Sequence, residues 1–132
     1  MARVSELNSI HIPVVAELRL WIKPEWRFFH CPNGVPWSAK MGAKQHAMGV
    51  LPGVPDLILM SPRSAGSCEY FLEFKLPGKT LSEAQEDFRM WAICRGSPYV
   101  VAYSQSDAFR AFNEWDCWRL TQAIQTGAAH GF

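Results

Sequence analysis

The sequence predicts an α/β sandwich, with helices packed on a mixed β-sheet. Three observations lead there. Segments with helical spacing alternate with short strand-like runs along the 132 residues, in the order helix, strand, strand, strand, helix, strand, helix. The run Leu57-Ile58-Leu59-Met60 is apolar at every position, as in a central strand covered on both faces. The composition is that of a globular chain, with 48% hydrophobic and 19% charged residues.

Each element has its own local reason. Pro13 fits a first helical turn, and Val14, Leu18, Trp21 and Ile22 recur at helical spacing after it. Pro24 stops this helix by pushing the preceding residue out of the α region. Trp26 to Cys31 reads as a strand, and Pro32-Asn33-Gly34-Val35-Pro36 as a loop. Ser38 to Met48 reads as a short helix, with Ser38 as N-cap and Gly49 as its stop. Leu51-Pro52-Gly53-Val54-Pro55 is a rigid approach to the strand Asp56 to Met60, and Ser61 to Ser67 is a turn. Glu69 to Lys75 alternates and reads as the next strand, antiparallel because the connection is short. After the break at Pro77-Gly78-Lys79, Thr80 or Ser82 caps a helix through Arg95, with Ala84, Phe88 and Trp91 on its buried face, and Gly96 ends it. Tyr99 to Tyr103 is a further strand. Asp107 to about Gln125 is a last helix carrying Phe109, Phe112, Trp115 and Trp118, and Thr126 to Phe132 is a frayed tail. With no repeat, linker or low-complexity segment, residues 1–132 read as one domain.

Several function classes are excluded or disfavoured. No run approaches the roughly 20 apolar residues of a membrane span. Met1 to Glu6 lacks an apolar signal segment, so an intracellular, cytoplasmic location is expected. The net charge is +1, so a nucleic-acid partner would have to be held by a local patch. Cys31, Cys68, Cys94 and Cys117 form no C-x-x-C pair, which argues against structural zinc and for buried or free thiols. His11, His30, His46 and His130 lack metal-ligand spacing on any one element.

Three charged residues gain meaning together. Asp56 opens an otherwise apolar strand behind Pro55, which alone is compatible with capping a turn. Glu73 and Lys75 stand two apart on one strand and share a face, which alone is compatible with a wet surface and an ion pair worth roughly 0–1 kcal/mol. If the two strands are neighbours, Asp56 and Glu73 converge. Two close carboxylates repel and one is driven to hold a proton, a conflict that a divalent cation removes. Oxygen ligands without a nearby His or Cys suit Mg²⁺ or Mn²⁺. Lys75 beside such an ion could stabilise an anionic transition state or orient a water, which fits phosphodiester hydrolysis.

Gly53-Val54-Pro55-Asp56, then Glu73-Phe74-Lys75, then Ser82-Glu83-Ala84-Gln85, together with Phe29-His30-Cys31-Pro32-Asn33-Gly34, resemble the PD-(D/E)xK nucleases. More closely they resemble the virus-type replication-repair nuclease domain (VRR-NUC), from the first helix to the strand at Tyr99–Tyr103. Each motif is weak alone, and the ordered set is fairly specific. The resemblance implies a restriction-endonuclease-like αβββαβ core and a Mg²⁺- or Mn²⁺-dependent DNA endonuclease. It implies that Asp56 and Glu73 bind the metal with the backbone carbonyl of Phe74, that Lys75 is the catalytic lysine, and that Gln85 orients water or Lys75. Locally, Ser82-x-x-Gln85 is also a capping box, whereas Thr80-x-x-Glu83 would leave Gln85 free. The family's first-helix glutamate maps best to Glu6, displaced by about one residue and cut off by Pro13. Glu17 is the other candidate, on an apolar face where an unpaired carboxylate is costly.

Basic residues before Asp56 (Arg3, Arg19, Lys23, Arg27, Lys40 and Lys44) outnumber Glu6, Glu17 and Glu25, consistent with phosphate binding. Lys40, Lys44 and Lys79 flank the expected cleft, and His30 and Asn33 either bind a phosphate or close their loop. The Trp-rich last helix reads as core or as a dimer face. Stand-alone domains similar to this one suggest structure-specific cutting, for example of four-way junctions, by a homodimer, and a phage setting would fit. The rival expectations are a nucleic-acid-binding module that keeps the fold without cutting, and a plain interaction domain with Glu73 and Lys75 on a wet face.

Overall fold

The strand-forming runs pair into one four-stranded mixed sheet. The computed structural model describes residues 5–32, 39–63, 66 and 69–120, with only the backbone of residues 39 and 40. The strands β1 (Arg27–His30), β2 (Leu57–Met60), β3 (Glu69–Phe74) and β4 (Tyr99–Ala102) lie side by side in that order. β1 and β3 each run antiparallel to β2, and β4 runs parallel to β3. In the β2–β3 register Leu57 faces Leu72. The residues just outside that pair, Asp56 and Glu73, therefore meet at the end of β2.

Strand alternation sorts the two faces. Leu57, Leu59, Leu72 and Phe74 are fully buried in a core shared with Val14 and Leu18 of α1 (Ile12–Trp21) and Ala108 and Phe112 of α4 (Gln105–Trp115). Burying each such Leu or Phe contributes roughly 1.5–3 kcal/mol. Phe71 and Tyr99 lie under α3 (Glu83–Cys94), where Phe88 meets Phe71 edge-on at 5.1 Å between ring centres. Ser82 caps α3. Its Oγ accepts from the Gln85 backbone N–H at 3.2 Å, and its own N–H donates to Gln85 Oε1 at 2.8 Å. Of the two cap registers, the chain uses this one. A short helix, α2 (Ala39–Ala47), lies between β1 and β2 in sequence. Ser38, its expected cap, lies outside the described residues.

Four expectations need correction. Pro13 sits in the first turn of α1, as expected, but does not break the chain's helical path, because a π-helical stretch, Leu7–His11, precedes α1 and carries it back to Glu6. The wider turn closes with Ile12 N–H donating to the carbonyl of Leu7. Proline leaves the carbonyl of Ser9 without its helical donor, and the Gln105 side chain supplies one at 2.9 Å. The helix that starts at Gln105 ends at Trp115 and does not run unbroken toward Gln125, because Asp116 turns left-handed at φ 53°. Cys117 and Trp118 then drop into the core, and Trp118 pairs with Ile22. Residues 121–132 lie outside the described residues. Trp91 is 52% exposed, with Arg95 stacked over its ring, and Ala92 takes the buried position instead. Finally, β2 is sealed on one face only: Ile58 is half-buried and Met60 is exposed.

Cys31, Cys94 and Cys117 are free thiols, and Cys68 lies outside the described residues. Among the described residues no helix is long and apolar enough to cross a membrane.

Candidate active site

The carboxylate pair is built by backbone as much as by side chains. The Asp56 N–H donates to Glu73 Oε2 at 3.2 Å, and the Phe74 N–H donates to Asp56 Oδ2 at 2.9 Å. Each acid thus accepts from the strand that carries the other. The approach loop is fixed by Gly53, which has φ +84° and sits directly against the carbonyl of Ala84 in the first turn of α3. α3 in turn delivers Gln85, whose Nε2 donates to Glu73 Oε1 at 3.1 Å. Capping and site contact are therefore not alternatives. One amide orientation lets Oε1 hold the helix start while Nε2 holds the carboxylate.

Glu73 is 4% exposed, so the wet-face expectation fails for it. Burial comes first, then the charge and hydrogen bonding of Asp56, and together they push its pKa up to about 9, against a lowering pull from Lys75. Glu6 is raised for the same reasons, burial and then Asp56, again opposed by Lys75. The four groups thus form one electrostatic unit. Of the two helix glutamates the sequence offered, Glu6 is the one whose charge acts on Glu73. The Tyr99 hydroxyl is buried without a hydrogen-bond partner among the described residues. Burial, then Glu73 and Asp56, raise its pKa. Three clustered carboxyl groups, Glu73 buried and Asp56 and Glu6 part-buried, fit a bound cation, and Asp56, Glu73 and the carbonyl of Phe74 are oxygen donors that could hold it.

The premise that no histidine lies near is corrected. His11 from the π-helical stretch and His30 from the end of β1 each bring a ring nitrogen to within 4.8 Å of the other and of an Asp56 carboxylate oxygen. His30 Nδ1 donates to the Asp56 carbonyl at 2.6 Å, and the two rings meet edge-on at 4.7 Å. A carbonyl only accepts, so Nδ1 carries a proton. Burial, with a further contribution from His30 against an opposing one from Asp56, pushes His11 toward the neutral ring. No sequence signal marked this pair, because the residues sit on separate elements. Imidazole beside carboxylate also suits softer divalent ions than Mg²⁺.

Of the expected nucleic-acid contacts, two side chains fall among the described residues. Lys44 and Lys79 are exposed and make no ion pair with other described residues. Asn33 and the Lys40 side chain lie outside the described residues.

A mixed sheet flanked by helices, with acids converging at a strand end, is consistent with a restriction-endonuclease-like core. The model of the VRR-NUC domain family matches residues 14–107, and the chain belongs to this nuclease family. Glu6 and His11 fall outside the matched stretch. No curated protein and no solved structure matches the chain.

The raised Glu73 pKa has a consequence for stability. Its folded value lies above the unfolded value near 4.5, so its stabilising contribution is complete below about pH 4.5 and is lost as pH rises toward about 9. In chelator, the melting temperature of wild type minus that of Glu73→Gln is expected to fall between pH 5 and pH 9. Two curves that stay parallel would contradict this.

Proposed function

We propose that the domain is an endonuclease that hydrolyses phosphodiester bonds of DNA with Mg²⁺ or Mn²⁺. The observation that carries this is the shared carboxylate pair, Asp56 and Glu73 cross-bonded through the Asp56 and Phe74 N–H groups. When bound, the ion would polarise the phosphate and make a bound water acidic near neutral pH. Asp56, Glu73 and the Phe74 carbonyl would hold it, with Glu6 in support. Gln85 keeps the Glu73 carboxylate from rotating. Lys75 sets an ammonium where negative charge grows on the phosphate as water attacks, and restrains the ionisation of the acids beside it. His11 and His30 bring ring nitrogens within 4.8 Å of an Asp56 carboxylate oxygen, which favours Mn²⁺ over Mg²⁺. The working unit is a homodimer on branched or otherwise structured DNA, where two symmetric sites make two symmetric nicks.

The test is a panel of four-way junction, forked, duplex and single-stranded DNA with Mn²⁺, Mg²⁺ or chelator. The expected result is metal-dependent nicking, fastest on a branched substrate and faster with Mn²⁺. Tight DNA binding with no cutting under any ion would point instead to a binding module on the same fold.

A further inference from the structure

We propose that a cavity beside the catalytic carboxylates receives one unstacked base of the DNA strand being cut. This rests on the endonuclease reading and narrows its substrate.

The cavity lies between α1 and β1 and has a volume of about 710 Å³. That is room for a base with its sugar, in a groove open to solvent along Leu7, Ile12, Arg19, Phe29 and His30. Its lining includes Ile12 and Val15 of α1 and Phe28 of β1, an apolar surface against which a base can stack. Arg19 lies on the same wall and makes no ion pair within the described residues, so its guanidinium is available to a phosphate.

Continuity with the site decides the occupant. His11 and His30 line the cavity, and the same two side chains cluster with the Asp56 carboxylate. A nucleotide whose phosphate is drawn to a cation at Asp56 therefore has this cavity as its immediate neighbour. A base stacked and paired inside a duplex cannot enter it. Entry needs an extruded or unpaired nucleotide, and extrusion is easiest where pairing is already lost. The favoured substrate is thus a strand with an unpaired nucleotide next to the cut, as at a fork, flap or branch.

The experiment is an abasic scan. Forked oligonucleotides carry one abasic residue, moved step by step along the cleaved strand. Binding is read by fluorescence anisotropy with Ca²⁺, and cutting of the same oligonucleotides is read with Mn²⁺. For wild type, one position beside the cut is expected to lose about 5- to 150-fold in affinity, the range measured for removing a base–aromatic stack. Ile12→Trp fills the cavity from a position that is 52% exposed, so the fold should tolerate it. It should bind the intact fork with that weakened affinity and become indifferent to the abasic position. Arg19→Ala, also at an exposed site, should weaken intact and abasic forks alike. A flat scan in wild type, an unchanged scan in Ile12→Trp, or no binding to any fork would overturn the proposal. Cutting with a flat scan removes the base site and leaves the nuclease. A position-specific loss without cutting does the reverse.

Discussion

Lys75→Ala is expected to fold, to keep its metal, and to cut DNA at least about 100-fold more slowly. The side chain is half-buried at the end of β3, and the sheet contact at this residue is a backbone one, its N–H donating to the Ala102 carbonyl at 3.0 Å. Truncation leaves that bond in place. What disappears is an ammonium that eases the charge of both Glu73 and Glu6. Removing one preorganised group aimed at developing charge typically costs about 10²–10³ in rate. Asp56→Asn should be more severe, because the amide gives up the central charge of the site and with it the metal. The variants can be told apart by pH. Without Lys75 the residual activity should shift to higher pH, since the acids lose the cation that lowered their pKa. Single-turnover cleavage across pH, with metal binding measured in parallel, checks both. Equal cutting by wild type and Lys75→Ala would remove the lysine from the mechanism.

Gly53→Ala is expected to damage fold and site together. The glycine has φ +84°, which an L side chain rarely adopts, and an added Cβ would fall onto the Ala84 carbonyl and 2.8 Å from the Gln85 nitrogen. Both neighbours are backbone atoms of the first turn of α3, so neither can swing away. Strain of this kind costs about 1–3 kcal/mol for the conformation alone, and the overlap adds to it. A drop in melting temperature of about 10 °C or more is expected for a chain of this size. Asp56 and Gln85 should move with the displaced loop and helix start, so metal affinity should fall as well. Gly49→Ala is the control. Its φ is +92°, but nothing lies within 4 Å of the added Cβ, so only the conformational cost remains. Similar melting of the two variants would mean that the Gly53–Ala84 approach does not matter.

The central strands were legible because their reasons are local. A short turn between two strand-like runs dictates an antiparallel pair, and the apolar runs fix its register. The facing of Asp56 and Glu73 follows from that register. Gln85 was half legible: the capping box is a sequence pattern, whereas the contact of its other amide atom with Glu73 depends on where α3 docks. The rest came from distant parts of the chain. Pro13 signals a helix start, yet Gln105 supplies the donor that lets the helix continue back through Leu7. His11 and His30 meet only because that π-helical stretch lies across the end of β1. The early end of α4 reflects the fit of Trp118 and Cys117 into the core, which the helical spacing of Phe112, Trp115 and Trp118 does not reveal.

Crystals grown with Mn²⁺ and measured for anomalous scattering offer the most direct test that the paired acids hold a catalytic ion. The expected peak lies roughly 2.1 Å from oxygens of Asp56, Glu73 and the Phe74 carbonyl, and it should vanish in Asp56→Asn. A well-ordered wild-type site with no peak at the carboxylates, or a peak bound elsewhere and unaffected by Asp56→Asn, would contradict it.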